Sequence, residues 1–471
     1  MNEEDRMLQS HTTESERRGE LLRDALVALE RAGHRLCVLH GYRDYPDRID
    51  SDVDAISEDP RQIPRILYER GAAQVVQAVY TRATGGFYYV LQRWHEGRPI
   101  FISLHVYRDC RREGRVFFEG EEFLSSSRTY KFFRVPPPDL EFAAYLVKRM
   151  FHVTLSEEQG DRLGELYGQD SGGCVKRLLD LLPETEAKLV AGAAQSGNWS
   201  PVRRDFERLR RAMVEMDGKR GRLRNRAEDY FETARQALAP PGLTVAVLGV
   251  DGAGKSTVLS RIERDLAQAF WSVKRYHGRA LESPLRWTKR VRQQRELRRK
   301  EIEHAAAAGT EYRPPRNPHY RPQRNPVLSL VKLALWWADY TVLGYGRDIY
   351  PRLRRAGLVL LDRHYHDLLV DPIRHRYGGP MWMARAAGRF FPQPHLVVLL
   401  DAPPEVLHAR KQEVPLEETA RQREAYLEVV RRLPNGHVVD ASRRPDEVAS
   451  EVEQIVLGYM AERVAGRALL R

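Results

Sequence analysis

Gly249-Val250-Asp251-Gly252-Ala253-Gly254-Lys255-Ser256 is the stretch that decides the fold. It fills every fixed position of G-x-x-x-x-G-K-[ST]. It follows the apolar run LTVAVLG (243–249) and opens KSTVLSRIERDLAQAF, in which Val258, Leu259, Ile262, Leu266 and Phe270 share one helical face. A strand, a glycine-rich turn and a helix in that order form a phosphate-binding loop. Glycines let the backbone curl until its N–H groups converge on phosphate oxygens, and the helix N-terminus adds positive charge. The reading assigns ATP to Gly249, Asp251, Gly252, Ala253, Gly254, Lys255, Ser256 and Thr257. Lys255 reaches the β- and γ-phosphates, and the Ser256 hydroxyl ligates Mg²⁺. The alternative is a glycine-rich turn with no ligand.

Downstream, strands alternate with helices. WSVKRYH (271–277), LVLLD (358–362), HLVVLLD (395–401) and HVVD (437–440) read as strands; 329–355, 403–412, 417–432 and 445–464 read as helices. Near-continuous Val and Leu in the strands predicts an α/β fold, a parallel sheet covered by helices on both faces. Upstream, Ala239-Pro240-Pro241-Gly242 breaks the chain. The expected organisation is a disordered tail (1–20), an α+β domain (21–195), a charged helical linker (196–240) and the P-loop domain (241–471), with a basic insertion at 280–326.

At 471 residues, two domains are expected. Lys and Arg number 77 against 65 Asp and Glu, a formal +12, which favours anionic partners. The insertion carries 12 Lys/Arg against 5 Asp/Glu and suits an anionic acceptor, a membrane surface or RNA, or else is a solvated loop. Cys37, Cys110 and Cys174 are sparse and odd in number, which fits a reducing cytoplasm. VLSLVKLALWW is too short for a membrane span and is interrupted by Lys332. His277, His364, His366 and His375 lack H-E-x-x-H spacing and have no cysteine beside them.

GVDGAGKST, LVLLDRHYHD, HARKQE and VVDAS, in this order, resemble the thymidylate kinase-like branch of the nucleoside monophosphate kinases. The resemblance covers roughly residues 243–460. It implies an ATP- and Mg²⁺-dependent phosphotransferase, with a homodimer as one option. Asp362 would assist Mg²⁺ or the acceptor oxygen, and Arg363 and Arg279 would hold the acceptor's anionic group. Arg410, Arg421 and Arg423 would be lid arginines over the transferring phosphoryl. Asp440 and Ala441 would lie beside adenine. The alternative for Asp362 and Arg363 is a structural ion pair, and for Arg421 and Arg423 a solvated helix face.

The sequence departs from thymidylate kinases on the acceptor side. HDLLVDPIRHRYGGP (366–380) stands where the family has S-x-x-A-Y-Q, and Arg279-Ala280-Leu281-Glu282 where it has Arg-Glu-Pro-Gly. HDLLVDPIRHRYGGP looks more like family relatives encoded with polysaccharide and lipopolysaccharide biosynthesis proteins, a resemblance that implies an acceptor other than dTMP, sugar- or lipid-linked. The alternatives are a genuine dTMP kinase, a bifunctional kinase–nucleotidyltransferase and a non-catalytic nucleotide sensor.

In the first half, LHGYRDYPDRIDSDVDAIS (39–57) resembles the start of the nucleotidyltransferase superfamily. Asp52 and Asp54 alternate across Val53 and so share a face of one strand. The resemblance implies that both hold Mg²⁺. It also puts Ser103, in FISLHVY, where relatives carry a third carboxylate, with His105 and Lys148 near the cleft.

Overall fold

The computed structural model describes residues 3–49, 52–216, 222–277, 319 and 322–469. The chain divides into two compact units: Met1–Ala239 with Gly458–Arg471, and Pro240–Leu457.

The first unit is built on a mixed sheet of β1 (Leu36–Val38), β2 (Val53–Ser57), β3 (Gln74–Thr81), β4 (Gly86–His95) and β5 (Arg98–Tyr107), in the order β1-β2-β5-β4-β3. β2 and β5 run parallel; the other neighbours are antiparallel. Short hairpins follow: β6 (Cys110–Arg112) with β7 (Arg115–Phe118), and β8 (Arg128–Tyr130) with β9 (Phe133–Val135). The period-2 alternation of strands sorts the side chains. Val53, Ala55, Leu104 and Val106 join one core with Leu21, Leu22, Ala25, Leu26 and Leu29 of the helix Glu3–Arg31. Cys37, Ile56 and Tyr107 join the other, with the helix Pro138–His152 and those after it.

Two stretches at the borders of the expected domains are helical. Residues 3–20, read as a disordered tail, continue the helix Glu3–Arg31. The stretch read as a linker forms the helices Ser200–Arg204, Phe206–Met216 and Arg222–Leu238, which belong to the first unit. Their charges are not all solvated. Buried Asp229 pairs with Arg111 and accepts from the Tyr80 hydroxyl at 2.6 Å, and buried Glu232 accepts from Arg61 at 2.8 Å.

The second unit is a five-stranded, all-parallel sheet of β10 (Leu243–Leu248), β11 (Val273–His277), β12 (Leu358–Asp362), β13 (Leu396–Asp401) and β14 (Gly436–Asp440), in the order β11-β12-β10-β13-β14. The chain reverses its winding at β10, and open α/β sheets place ligands beyond the carboxyl ends of the strands at such a switch point. The loop after β10 sits there. So do Asp362, aligned with Val247, and Asp401, aligned with Asp440. β10 and β12 are buried throughout, as strands covered on both faces must be.

The apolar run expected to be too short for a membrane lies in a longer helix. Asp339–Ile349 winds on as a wider π-helix, so helical structure runs from Pro326 to Arg354. By length and composition its 29 residues suffice to cross a membrane, with 22% of the most apolar window buried. Arg279 and most of the 280–326 insertion lie outside the described residues.

Candidate active site

The loop after β10 takes a shape only glycine allows. Gly249, Gly252 and Gly254 have φ of +146°, +94° and +81°. A Cβ on Gly249 would fall 2.7 Å from the Leu400 carbonyl oxygen, and one on Gly252 2.6 Å from that of Leu407. Both neighbours are backbone and cannot yield cheaply. The helix Lys255–Asp265 starts directly from the loop. Ser256 and Thr257 are exposed on its first turn.

Lys255 is buried, and its ammonium donates to the carbonyls of Gly249 at 2.7 Å and Val250 at 3.0 Å. Burial lowers its pKa to about 8, against the pull of Asp251 in the other direction. Protonated Lys255 is the form that attracts phosphate. ATP capture should therefore be flat below pH 8 and fall above it, by up to about tenfold per unit, because kcat/KM follows the free protein's ionisations. A pH series of kcat/KM for ATP checks this; a flat profile to pH 9.5 would contradict it.

On the neighbouring strand, Asp362 is 1% exposed. Arg275 of β11 links it to the loop, donating to Asp362 Oδ2 at 2.8 Å and to the Ser256 carbonyl at 3.4 Å. The next residue, Arg363, is a non-glycine at φ +80°, a conformation that marks strain and recurs at functional sites. It does not form a closed pair with Asp362. Its guanidinium reaches the loop and donates to Asp251 Oδ1 at 2.6 Å, while Arg374 donates to Asp251 Oδ2 at 2.5 Å. Burial alone would raise the Asp251 carboxyl; Arg363, Lys255 and Arg374 hold it far below the usual carboxylate range.

This cluster lines a pocket with about 10 Å³ of free space, room for one water. Asp367, Asp371, Gln422 and Tyr426 complete it. Asp367 accepts from the Tyr426 hydroxyl at 2.6 Å and from the His364 N–H at 2.7 Å; Asp371 accepts from Gln422 at 3.1 Å. His319 Nε2 lies 2.9 Å from both Asp371 oxygens, and His319, Asp371 and Glu418 bring their ligand atoms within 4.8 Å of one another. His364 and His366 face each other at 3.0 Å; burial brings His366 down to about 4 and His364 lower still, so both are neutral in the core.

The other side of the loop is more open. A pocket of about 200 Å³ is lined by Gly252, Gly254, Thr257, Arg410, Ala441 and Val448. Arg410 donates to the Ala441 carbonyl at 2.8 Å. It was expected over the transferring phosphoryl and instead stands with the 440–442 segment. Asp440 is exposed and accepts from the Ser442 N–H at 2.9 Å. The remaining lid candidates are engaged elsewhere. Arg423 grips both oxygens of Asp401 at 2.8 Å, and Arg421 is held by Glu418 at 2.6 and 2.7 Å. A bidentate fork such as that of Arg423 is a fixing contact.

Arg275, Arg374, Asp367, Asp371, Gln422 and Tyr426 were not anticipated as members of this site. Arg275 stands in the middle of β11, and only the strand pattern of WSVKRYH bears on its position. In the first unit, Asp54 is buried within β2, and Asp52 is exposed just before the strand begins.

No family model matches the chain. Curated relatives do. A probable thymidylate kinase of Pyrobaculum aerophilum is 28% identical over 224 residues, 45% of this chain and 95% of the relative. A thymidylate kinase of Xanthomonas euvesicatoria pv. vesicatoria is 27% identical over 237 residues, 49% of this chain and 90% of its own length. One of Xanthomonas campestris pv. campestris is 28% identical over 233 residues, 48% and 88% respectively. About half of the chain is thus similar to thymidylate kinases, which supports a P-loop kinase region and phosphotransferase activity in general.

Proposed function

We propose that the second unit transfers the γ-phosphoryl group of ATP to an acceptor other than dTMP, a sugar- or lipid-linked compound that carries hydroxyls and an anionic group. One observation carries this reading: Arg363 and Arg374 converge on Asp251 at the loop, flanked by Asp367 and Asp371. Two guanidinium forks suit an anionic group, and carboxylates suit hydroxyl donors. Arg374 and Asp371 belong to the segment that departs from the thymidylate kinase pattern.

The geometry supports the following roles. The 249–257 backbone cradles the phosphates, with Lys255 on the transferring end. Adenine lies toward Arg410, Asp440 and Ala441. The hydroxyl of exposed Ser256 and the carboxylate of Asp362, which also accepts from Arg275, are hard oxygen donors of the kind Mg²⁺ takes, and they would hold it. Bound there, the ion would neutralise phosphate charge. An acceptor oxygen forms the new bond to γ-phosphorus as the bond to the β–γ bridging oxygen breaks, and ADP leaves. Positioning and charge neutralisation carry the reaction. Arg363 and Arg374 orient the acceptor.

The second reading is a dTMP kinase, favoured by the names of the relatives. A panel separates the two. ATP labelled at the γ-phosphate is offered with nucleoside monophosphates, sugars, sugar phosphates and a lipid extract. Label is expected in a sugar or lipid fraction. Label in dTMP at about 1–10³ s⁻¹ would establish the second reading. ATP binding with no label anywhere would favour a sensor.

A further inference from the structure

The helix Pro326–Ala338 carries one charged residue, Lys332. Its inner side faces the second unit. Leu333 is buried, the Ser329 hydroxyl accepts from the Gly378 N–H at 3.0 Å, and Trp336 stacks on His375 at 5.8 Å. Its outer side is apolar and exposed: Val331 and Leu335 are each 50% exposed. The Trp337 indole donates to the Phe390 carbonyl at 2.8 Å, which sets this helix beside the end of the helix Met381–Gly388. There Trp382 and Phe390 are 68% and 71% exposed. Single apolar side chains at a surface need no explanation. Two neighbouring elements that both turn theirs outward mark a contact surface.

The charge around the surface identifies its partner. Trp382, Arg385 and Arg389 follow at i, i+3 and i+7, one face of the helix and its cap. Arg385 and Arg389 are exposed, and no carboxylate or carbonyl engages either guanidinium among the described residues. Neither 322–338 nor 372–400 contains an Asp or Glu, in a chain that has 65 of them. An apolar face edged by tryptophan and unpaired arginine suits an anionic bilayer. The rings enter the boundary between headgroups and acyl chains, and the guanidinium groups meet lipid phosphates. A second copy of the chain fits less well, because a twofold contact sets these arginines against their own equivalents. A spanning helix does not fit either: Leu333, Tyr340, Ile349 and Leu353 bury one side of Pro326–Arg354 in the second unit.

We infer that Val331, Leu335, Trp382 and Phe390, with Arg385 and Arg389, dock the chain on an anionic lipid surface and lie in its interface without crossing it. The helix that presents this face also holds Gly378 and His375, in the segment that carries Arg374, so docking brings that segment close to the bilayer. The inference does not rest on the kinase reading: the surface would dock whichever group is phosphorylated.

The test uses the full chain and sedimentation with vesicles of phosphatidylcholine, alone or with about one third phosphatidylglycerol. The chain should bind the anionic vesicles at least about tenfold more tightly, and added salt should weaken that binding. Arg385→Gln with Arg389→Gln should weaken it at least about tenfold, and so should Trp382→Ser with Phe390→Ser. All four side chains are exposed, so circular dichroism should match the parent. If the aromatic pair does not fold, Val331→Gln with Leu335→Gln tests the apolar side separately and should weaken binding as well. The proposal is overturned by no sedimentation with anionic vesicles, by equal binding to both vesicles, or by unchanged binding in the folded variants, which would place the contact elsewhere in the chain. It is also overturned by a dimer, seen by analytical ultracentrifugation without lipid, that Val331→Glu with Leu335→Glu splits; that result would give the face to a second copy.

Discussion

Lys255→Ala should lower kcat/KM for phosphoryl transfer by at least about 10³-fold, about 4 kcal/mol of transition-state stabilisation. The ammonium is already held at the loop by two backbone carbonyls, so ATP meets a placed charge and little reorganisation follows. Removing it leaves phosphate charge unbalanced at a buried position, where electrostatic terms are large. The label-transfer assay measures the loss, and titration with ATP separates binding from chemistry. Lys255→Arg should not rescue, because a planar fork does not replace a compact ammonium in a closed loop. A fall of less than tenfold would remove Lys255 from the transfer step.

Arg363→Ala should cut acceptor-dependent transfer by about 10²-fold while changing ATP affinity less than threefold. Arg363 reaches toward the acceptor pocket and touches the nucleotide loop only through Asp251. Losing it removes one of two guanidinium forks, so the deficit should appear in the KM for the acceptor as well as in kcat. Arg363→Lys restores the charge without the fork and should recover part of the KM. If ATP affinity collapses instead, Arg363 is a support of the loop and not an acceptor ligand.

The sheet of the second unit was legible because fully buried parallel strands must be apolar runs, and LTVAVLG, LVLLD and HLVVLLD are such runs. The phosphate loop was legible because its backbone shape demands glycine at fixed positions. Arg374 and Tyr426 were not: Arg374 meets Asp251 across 123 residues of chain, and Tyr426 meets Asp367 across 59. The contact of Arg410 with the Ala441 carbonyl was not legible, since the direction of a long side chain depends on its neighbours. The helices at 200–238 read as a linker because the partners of Asp229 and Glu232, Arg111 and Arg61, lie more than 110 residues upstream. Periodicity shows that a face exists; it does not show what covers it.

Asp251 belongs to the phosphate loop yet binds Arg363 and Arg374, so on the proposed reading the two substrates would share a residue. An acceptor anion that draws Arg363 and Arg374 away leaves the Asp251 carboxylate to Lys255, 3.9 Å away, and lifts that amine back toward its ordinary basicity. Such sharing makes the two binding events thermodynamically linked. Whatever factor the acceptor applies to ATP affinity, ATP must apply to the acceptor's. A kinase built this way would sense its acceptor through its own donor loop.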